Sequence, residues 1–163
     1  MKLTRRYRFC ASHRLHAASL SEGDNARIYG KCNNPFGHGH DYVLEVTIAG
    51  TPDPQTGLIV PISKLDRLVQ EAILRLFAHS NINLDVPQFA RLVPTTENLV
   101  LVITKLLEQN WKAYLSGFPV RLDRVHIQET ARNGFELLLN VASKNKIRKR
   151  SDALFTESIT LHA

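Results

Sequence analysis

The chain reads as an α+β domain, a four-stranded antiparallel sheet with two helices on one face. Three observations predict it. Segments of apolar and polar alternation fall into two pairs, and two stretches of 3.6-residue apolar periodicity lie between those pairs. A length of 163 residues with 44% hydrophobic side chains supplies one core, whereas two domains would each be marginal.

Residues 2 to 9 form the first strand. The second, 41 to 49, lies in "DYVLEVTIAG", whose alternation gives it a wet face and a dry one. "GTPDPQTG" then turns the chain. After Pro61 the apolar positions Ile62, Leu65, Val69, Ala72, Ile73 and Leu76 make one helical stripe. A second helix follows "PTTEN", with Leu99, Val102, Ile103 and Leu106 inward. "VRLDRVHIQET" and "GFELLLNVAS" are strands joined across "ARNG", a turn with an Asn-Gly pair. The order β, β, α, α, β, β needs no crossover between parallel strands, so both helices go to one face. The other face is left to find cover, and oligomerisation is one way to obtain it.

Composition narrows the function classes. The net charge of +6 (21 Lys and Arg against 15 Asp and Glu) gathers largely in "SKNKIRKRSD" instead of a stripe interleaved with aromatics, which argues against a nucleic-acid module. A phosphorylated small molecule would be attracted equally well. No apolar run reaches the length of a membrane span, and "MKLTRRYRF" lacks the apolar centre of a secretory signal, so a cytoplasmic protein with no membrane partner is expected. Two cysteines, Cys10 and Cys32, are too few for a disulfide framework.

The chemistry gathers in "KCNNPFGHGHDY", residues 31 to 42. His38 and His40 are two apart and share a strand face with Tyr42, Leu44, Val46 and Ile48, the apolar face. Two imidazoles there lose solvation unless each ring nitrogen finds a partner, and a zinc ion satisfies two at once at about 2.0 to 2.1 Å per bond. Hydrogen-bonded core histidines are the plain alternative. His13, in "RFCASHRLH", has the parity of Leu3, Tyr7, Phe9 and Ala11 and offers a third ligand, whereas His16 breaks parity and belongs to a loop. Gly39 leaves room on the backbone side. Three histidines with an open fourth position describe a catalytic zinc. Cys32, set off by the turn "NNPFG", can be a general base activated by the cation, a fourth ligand or a spectator. In "PTTEN", Thr95 or Thr96 suits a helix cap and Glu97 the positive first turn. Glu129 shares the parity of Val125 and Ile127, so a carboxylate faces the apolar side. It needs either an arginine or the paired N–H donors of a guanidine-like heterocycle edge.

"FCASHRL", "YGKCNNPFGHGHDY", "PTTEN" and "ETARNGFEL", in that order over residues 3 to 142, resemble the 6-pyruvoyltetrahydropterin synthase family. The resemblance implies the tunnelling fold (T-fold), in which trimers close a twelve-stranded barrel and pair as a hexamer, with active sites between subunits. It implies zinc on His13, His38 and His40, Cys32 as the base, His79 beside it in a relay, and the pterin edge on Glu129 with Thr95, Thr96 and Glu97. The implied reaction converts 7,8-dihydroneopterin triphosphate to 6-pyruvoyltetrahydropterin, eliminating triphosphate and consuming no redox cofactor. Charge and proximity suggest Arg14, Arg27 and Lys31 for the triphosphate.

The chain departs from the family at "LFAHSNINLD", where Ala78 replaces an aspartate that would orient His79. Asp85 stands nearby. Pro61 and Cys10 are milder departures. The family-like domain is expected over residues 1 to 143, with 144 to 163 a basic C-terminal extension carrying a short strand at "ITLHA". Two alternatives stay open: a 6-carboxytetrahydropterin synthase of queuosine biosynthesis, which the five residues between Cys32 and His38 disfavour, and a weakly active pterin-binding relative in which the relay has decayed.

Overall fold

The computed structural model describes residues 1–139. The proposed strand at "ITLHA", the basic extension and the end of "GFELLLNVAS" lie outside them. In chain order the elements are β1 (Lys2–His13), α1 (Glu22–Tyr29), a 3-10 turn (Gly30–Asn33), β2 (His38–Gly50), α2 (Ile62–Val69), a π turn (Gln70–Leu74), α3 (Arg75–Phe77), β3 (Ser80–Asn81), α4 (Ile82–Asp85), a 3-10 turn (Pro87–Phe89), α5 (Thr96–Leu115), β4 (Val120–Gln128) and β5 (Gly134–Leu138). The fold is α+β. The sheet is five-stranded, in the order β3-β1-β2-β4-β5, and corrects the expectation of four. The extra strand is a two-residue parallel edge, Ala11 opposite Ser80 and Ser12 opposite Asn81, too short to show alternation.

Both expected helices form on one side of the sheet. Leu65, Leu68, Val69, Ile73 and Phe77 from the α2–α3 segment, with Leu99, Val102, Ile103 and Leu107 from α5, pack on Tyr42, Leu44, Val46 and Ile48 of β2 and Val125 and Ile127 of β4. The stripe differs from the expected one at its ends, since Ile62 is exposed while Leu68 and Phe77 are buried. The wide π turn at Gln70–Leu74 shifts the helical phase. Asp66 of α2 is tied to β1 by both Arg5 nitrogens, Nε at 3.0 Å and Nη2 at 2.9 Å, and by the Tyr7 hydroxyl at 2.8 Å. Among the described residues, no helix is long and apolar enough to cross a membrane.

The opposite face is mostly polar, with Val43, Ala49 and Leu138 interspersed. Thr4 bonds Thr47 at 2.8 Å, Glu45 takes Arg124 at 2.9 Å and Arg6 at 3.6 Å, and the Cys10 thiol donates to Asp41 at 2.9 Å.

Register sets the future site. β1 pairs with β2 from Lys2 opposite Ala49 to His13 opposite His38, with Ala11 opposite His40. The loop between the strands is fastened by asparagines. Buried Asn25 accepts from the Ala17 N–H and donates to the Ala17, Leu20 and Ser21 carbonyls. Asn33 donates to the Leu15 carbonyl, and Asn83 clamps Arg14 through both its backbone N–H and its carbonyl. The turn into β2 depends on Gly37, whose φ is +69° and where an added Cβ would lie 2.8 Å from the His13 carbonyl oxygen.

Two stability predictions follow from packing and backbone. Leu99→Ala, which empties a fully buried site, is expected to cost about 2–5 kcal/mol in urea unfolding. Gly37→Ala should destabilise by more than about 1 kcal/mol because the left-handed turn and the His13 backbone both oppose a side chain. An unchanged unfolding midpoint for Gly37→Ala would show that the turn relaxes freely.

Candidate metal and pterin site

At the end of the β1–β2 ladder three imidazoles stand on the helix-covered face. Directly opposed residues of an antiparallel pair share a face, which brings His13 to His38, and the two-residue period adds His40. Ring centroids lie 4.8 Å apart for His13 and His38, 5.1 Å for His13 and His40, and 4.7 Å for His38 and His40. One nitrogen from each ring falls within 4.8 Å of the others. His13 Nε2, His38 Nδ1 and His40 Nε2 are buried, and none has a hydrogen-bond partner among the described residues. Desolvated lone pairs converging in this way fit a metal ion, which would satisfy all three.

The surroundings prepare the rings for that role. His13 Nδ1 lies 2.9 Å from the Pro94 carbonyl, which makes Nδ1 the protonated nitrogen of the neutral ring and leaves Nε2 its lone pair. Burial pushes His13 down to about 4, against the opposing pull of the Pro94 carbonyl and Glu129. Burial first, and His40 second, also lower His38. Both stay neutral and ready to ligate at neutral pH.

Glu129 follows β4. Val43 pairs with Gln128, so one further step sets Glu129 across from Tyr42. Its backbone N–H donates to the Asn133 carbonyl at 3.0 Å in a turn completed by Thr130. Its side chain is 12% exposed, with Oε1 3.7 Å from His13 Nε2 and 3.9 Å from His40 Nε2. No arginine pairs with it among the described residues. Tyr42, fully buried, sets its hydroxyl 3.4 Å from His13 Nδ1, and burial together with Glu129 raises it well above the usual tyrosine range.

Cys32 is half-buried beside this cluster, in the 3-10 turn, with its carbonyl accepting from the Leu15 N–H at 2.8 Å. Burial, then the Glu129 carboxylate, pushes its thiol up. The lowered thiol expected from sequence therefore needs a cation, because the protein groups alone act in the other direction.

Thr95 caps α5, accepting from the Asn98 N–H at 3.3 Å, while Thr96 is buried and Glu97 lies in the first turn. This segment adjoins the site through Pro94. His79 lines an open cleft of about 460 Å³ with Cys10, Ser12, Gly39, His40, Asp41 and Ser80, and Cys32 is not part of that lining. His16 is a loop residue whose Nδ1 meets Asn33 at 3.0 Å. Of the proposed triphosphate contacts, Arg14 spends Nε on the Asn33 carbonyl and Arg27 pairs with Asp24, while Lys31 is exposed. Asp85 accepts from the Asn81 N–H at 2.7 Å, a local engagement. At Gly39, expected to leave room, an added Cβ would meet only the Ala11 carbonyl oxygen at 3.7 Å, whereas at Gly37 it would collide with the His13 backbone. The roles of Pro94, Tyr42 and the three asparagines were not foreseen. A buried tyrosine two residues after His40 was the one signal available.

Comparison with known proteins gives the family. The family model described as 6-pyruvoyl tetrahydropterin synthase matches residues 2–138. The chain is 42% identical over 132 residues to the 6-pyruvoyl tetrahydrobiopterin synthase of Poecilia reticulata, covering 80% of this chain and 85% of that protein. It is 41% identical over 133 residues to the Homo sapiens protein of the same name, covering 81% and 87%. The structure of Caenorhabditis elegans 6-pyruvoyl tetrahydropterin synthase superposes with a TM-score of 0.76 at 34% identity, over 86% of this chain and 96% of that one. With the histidine cluster, Cys32 and Glu129 all lying inside the matched region, the chain belongs to the 6-pyruvoyl tetrahydropterin synthase family.

Proposed function

We propose that this protein is a zinc-dependent lyase that converts 7,8-dihydroneopterin triphosphate to 6-pyruvoyltetrahydropterin with elimination of triphosphate, a step of tetrahydrobiopterin biosynthesis. The observation that carries the reading is the convergence of three buried, partnerless imidazole nitrogens on one point beside a buried carboxylate. His13, His38 and His40 would hold the ion. When bound it supplies Lewis acidity that lowers the cost of charge developing on substrate oxygen.

The chain's own residues account for the rest. Glu129 presents two oxygens in a nearly dry setting, matched to the paired N–H donors of an amino-pyrimidine edge, and Thr95, Thr96 and Glu97 stand at the helix start behind Pro94 to complete that pocket. Cys32 serves as the base, taking and returning protons at the side-chain carbons. Its backbone is fixed by Leu15, and its thiol lies near enough to Glu129 to feel that charge. His79 would assist from a neighbouring copy. Its cleft opens on the polar side of the sheet without Cys32, which suits a hexamer of paired trimers with active sites between subunits. The names of the relatives favour the pyruvoyl product over the carboxy one.

Incubating the zinc-loaded protein with 7,8-dihydroneopterin triphosphate should yield 6-pyruvoyltetrahydropterin by mass spectrometry, and Cys32→Ala should slow turnover by about 10²- to 10⁴-fold with metal content retained. A 6-carboxy product, or full activity in the variant, defeats the assignment. Light scattering should return a particle near 110 kDa, about six times the 18.4 kDa chain, and a monomer would remove the shared site.

A further inference from the structure

We propose that Glu129 is itself a donor to the metal in the substrate-free protein, and that the pterin edge withdraws it. The inference rests on the reading above and adds an exchange to it: one carboxylate serves two partners in turn, and the fourth position opens only when the right heterocycle arrives.

Geometry carries the argument. Two donors each about 2.0–2.2 Å from one ion lie about 3.3 Å apart at the tetrahedral angle and about 4 Å apart when nearly opposed. Glu129 Oε1 stands 3.7 Å from His13 Nε2 and 3.9 Å from His40 Nε2, inside that span and beyond hydrogen-bond length. Those nitrogens are two of the three orphaned in the cluster. With His13 Nδ1 committed to the Pro94 carbonyl, its Nε2 keeps its lone pair and stands 3.7 Å from the carboxylate oxygen. A lone pair and a carboxylate oxygen held this close repel unless a cation stands between them.

The carboxylate is also built in. The Glu129–Asn133 turn fixes its backbone, its side chain is 12% exposed, and among the described residues its ion-pair contacts are those two imidazoles. A carboxylate held only to meet a future ligand would stand nearly desolvated meanwhile, with the Tyr42 hydroxyl as its hydrogen-bond partner. Ligation by Glu129 removes that cost. A guanidine-like edge with paired N–H donors can then compete for the same oxygens, because charge-assisted paired hydrogen bonds are among the strongest available.

Cobalt(II) provides the probe, since its visible bands report coordination directly. The full chain is loaded with Co²⁺, its spectrum recorded, and its affinity measured against a chelating dye. Glu129→Gln is expected to change the bands and weaken Co²⁺ binding by at least about tenfold. Adding 7,8-dihydroneopterin, which carries no phosphate, to the unmodified protein should move its spectrum toward that of the variant, a readout that needs no substitution. Thermal melting of the metal-free variant checks that it folds. Identical spectra and affinities in the two proteins overturn the proposal, as does an unchanged spectrum on pterin binding to the unmodified chain. If Glu129→Gln weakens pterin binding yet leaves cobalt untouched, the exchange fails and the pterin-anchor role stands. Failure of the unmodified protein to bind either ligand removes both.

Discussion

The register of β1 on β2 is the constraint on which the rest depends. Pairing from Lys2 opposite Ala49 to His13 opposite His38 puts every second residue of both strands on the helix-covered side. The alternation that buries Leu44, Val46 and Ile48 under α2 and α5 also delivers the imidazoles to the dry side one turn of the ladder further on. A slip of one residue would expose the core strip and send the histidines to water together. Core and site thus cannot vary independently in this fold. The pattern that stabilises the domain also positions its ligands.

Holding three imidazoles, a phenol and a carboxylate in a nearly water-free corner opposes stability, and the fold answers with directed hydrogen bonds instead of apolar filling. Asn25, Asn33 and Asn83 satisfy backbone groups of the segment after His13, and the Pro94 carbonyl fixes its ring. Each buried side-chain amide offers donors and an acceptor at once, so one residue can tie down several loop positions. The result is a long connection between β1 and β2, built from α1 and a 3-10 turn, that holds Cys32 beside the cluster.

Much of this was legible from residue pattern, and the remainder was hidden for identifiable reasons. Parity along single strands located His13, His38, His40 and Glu129 on one face, because a period of two survives any detail of packing. Thr95 as a cap was equally readable. Helix α1 was missed because its buried residue is Asn25, so it carries no apolar stripe to find; the cap in which Ser21 accepts from the Asp24 N–H was its only local mark. The π turn after Val69 was invisible to a fixed helical period and shifts the phase of the residues that follow it, buried Phe77 among them. Cys32 shows the limit of local reasoning about charge. From sequence it is a base activated by the cation, and among the protein's own groups burial and then Glu129 raise its thiol.

The same separation of packing from chemistry explains the replacement at residue 78. Ala78 is half-buried and packs against the core where α3 ends, and the next residue, His79, takes a left-handed backbone with φ of +62°. For a non-glycine residue that conformation costs about 1–3 kcal/mol and persists only where neighbours enforce it. Here the His79 N–H donates to the Cys10 carbonyl at 2.7 Å, and β3 pairs alongside β1 directly afterwards. The reversal sends the imidazole out to the polar-face cleft and keeps residue 78 inside. A carboxylate at 78 would be pulled toward the apolar core edge by the same geometry, so alanine there favours packing. The imidazole keeps its position because the backbone enforces it, and it lines the cleft together with Asp41 and His40.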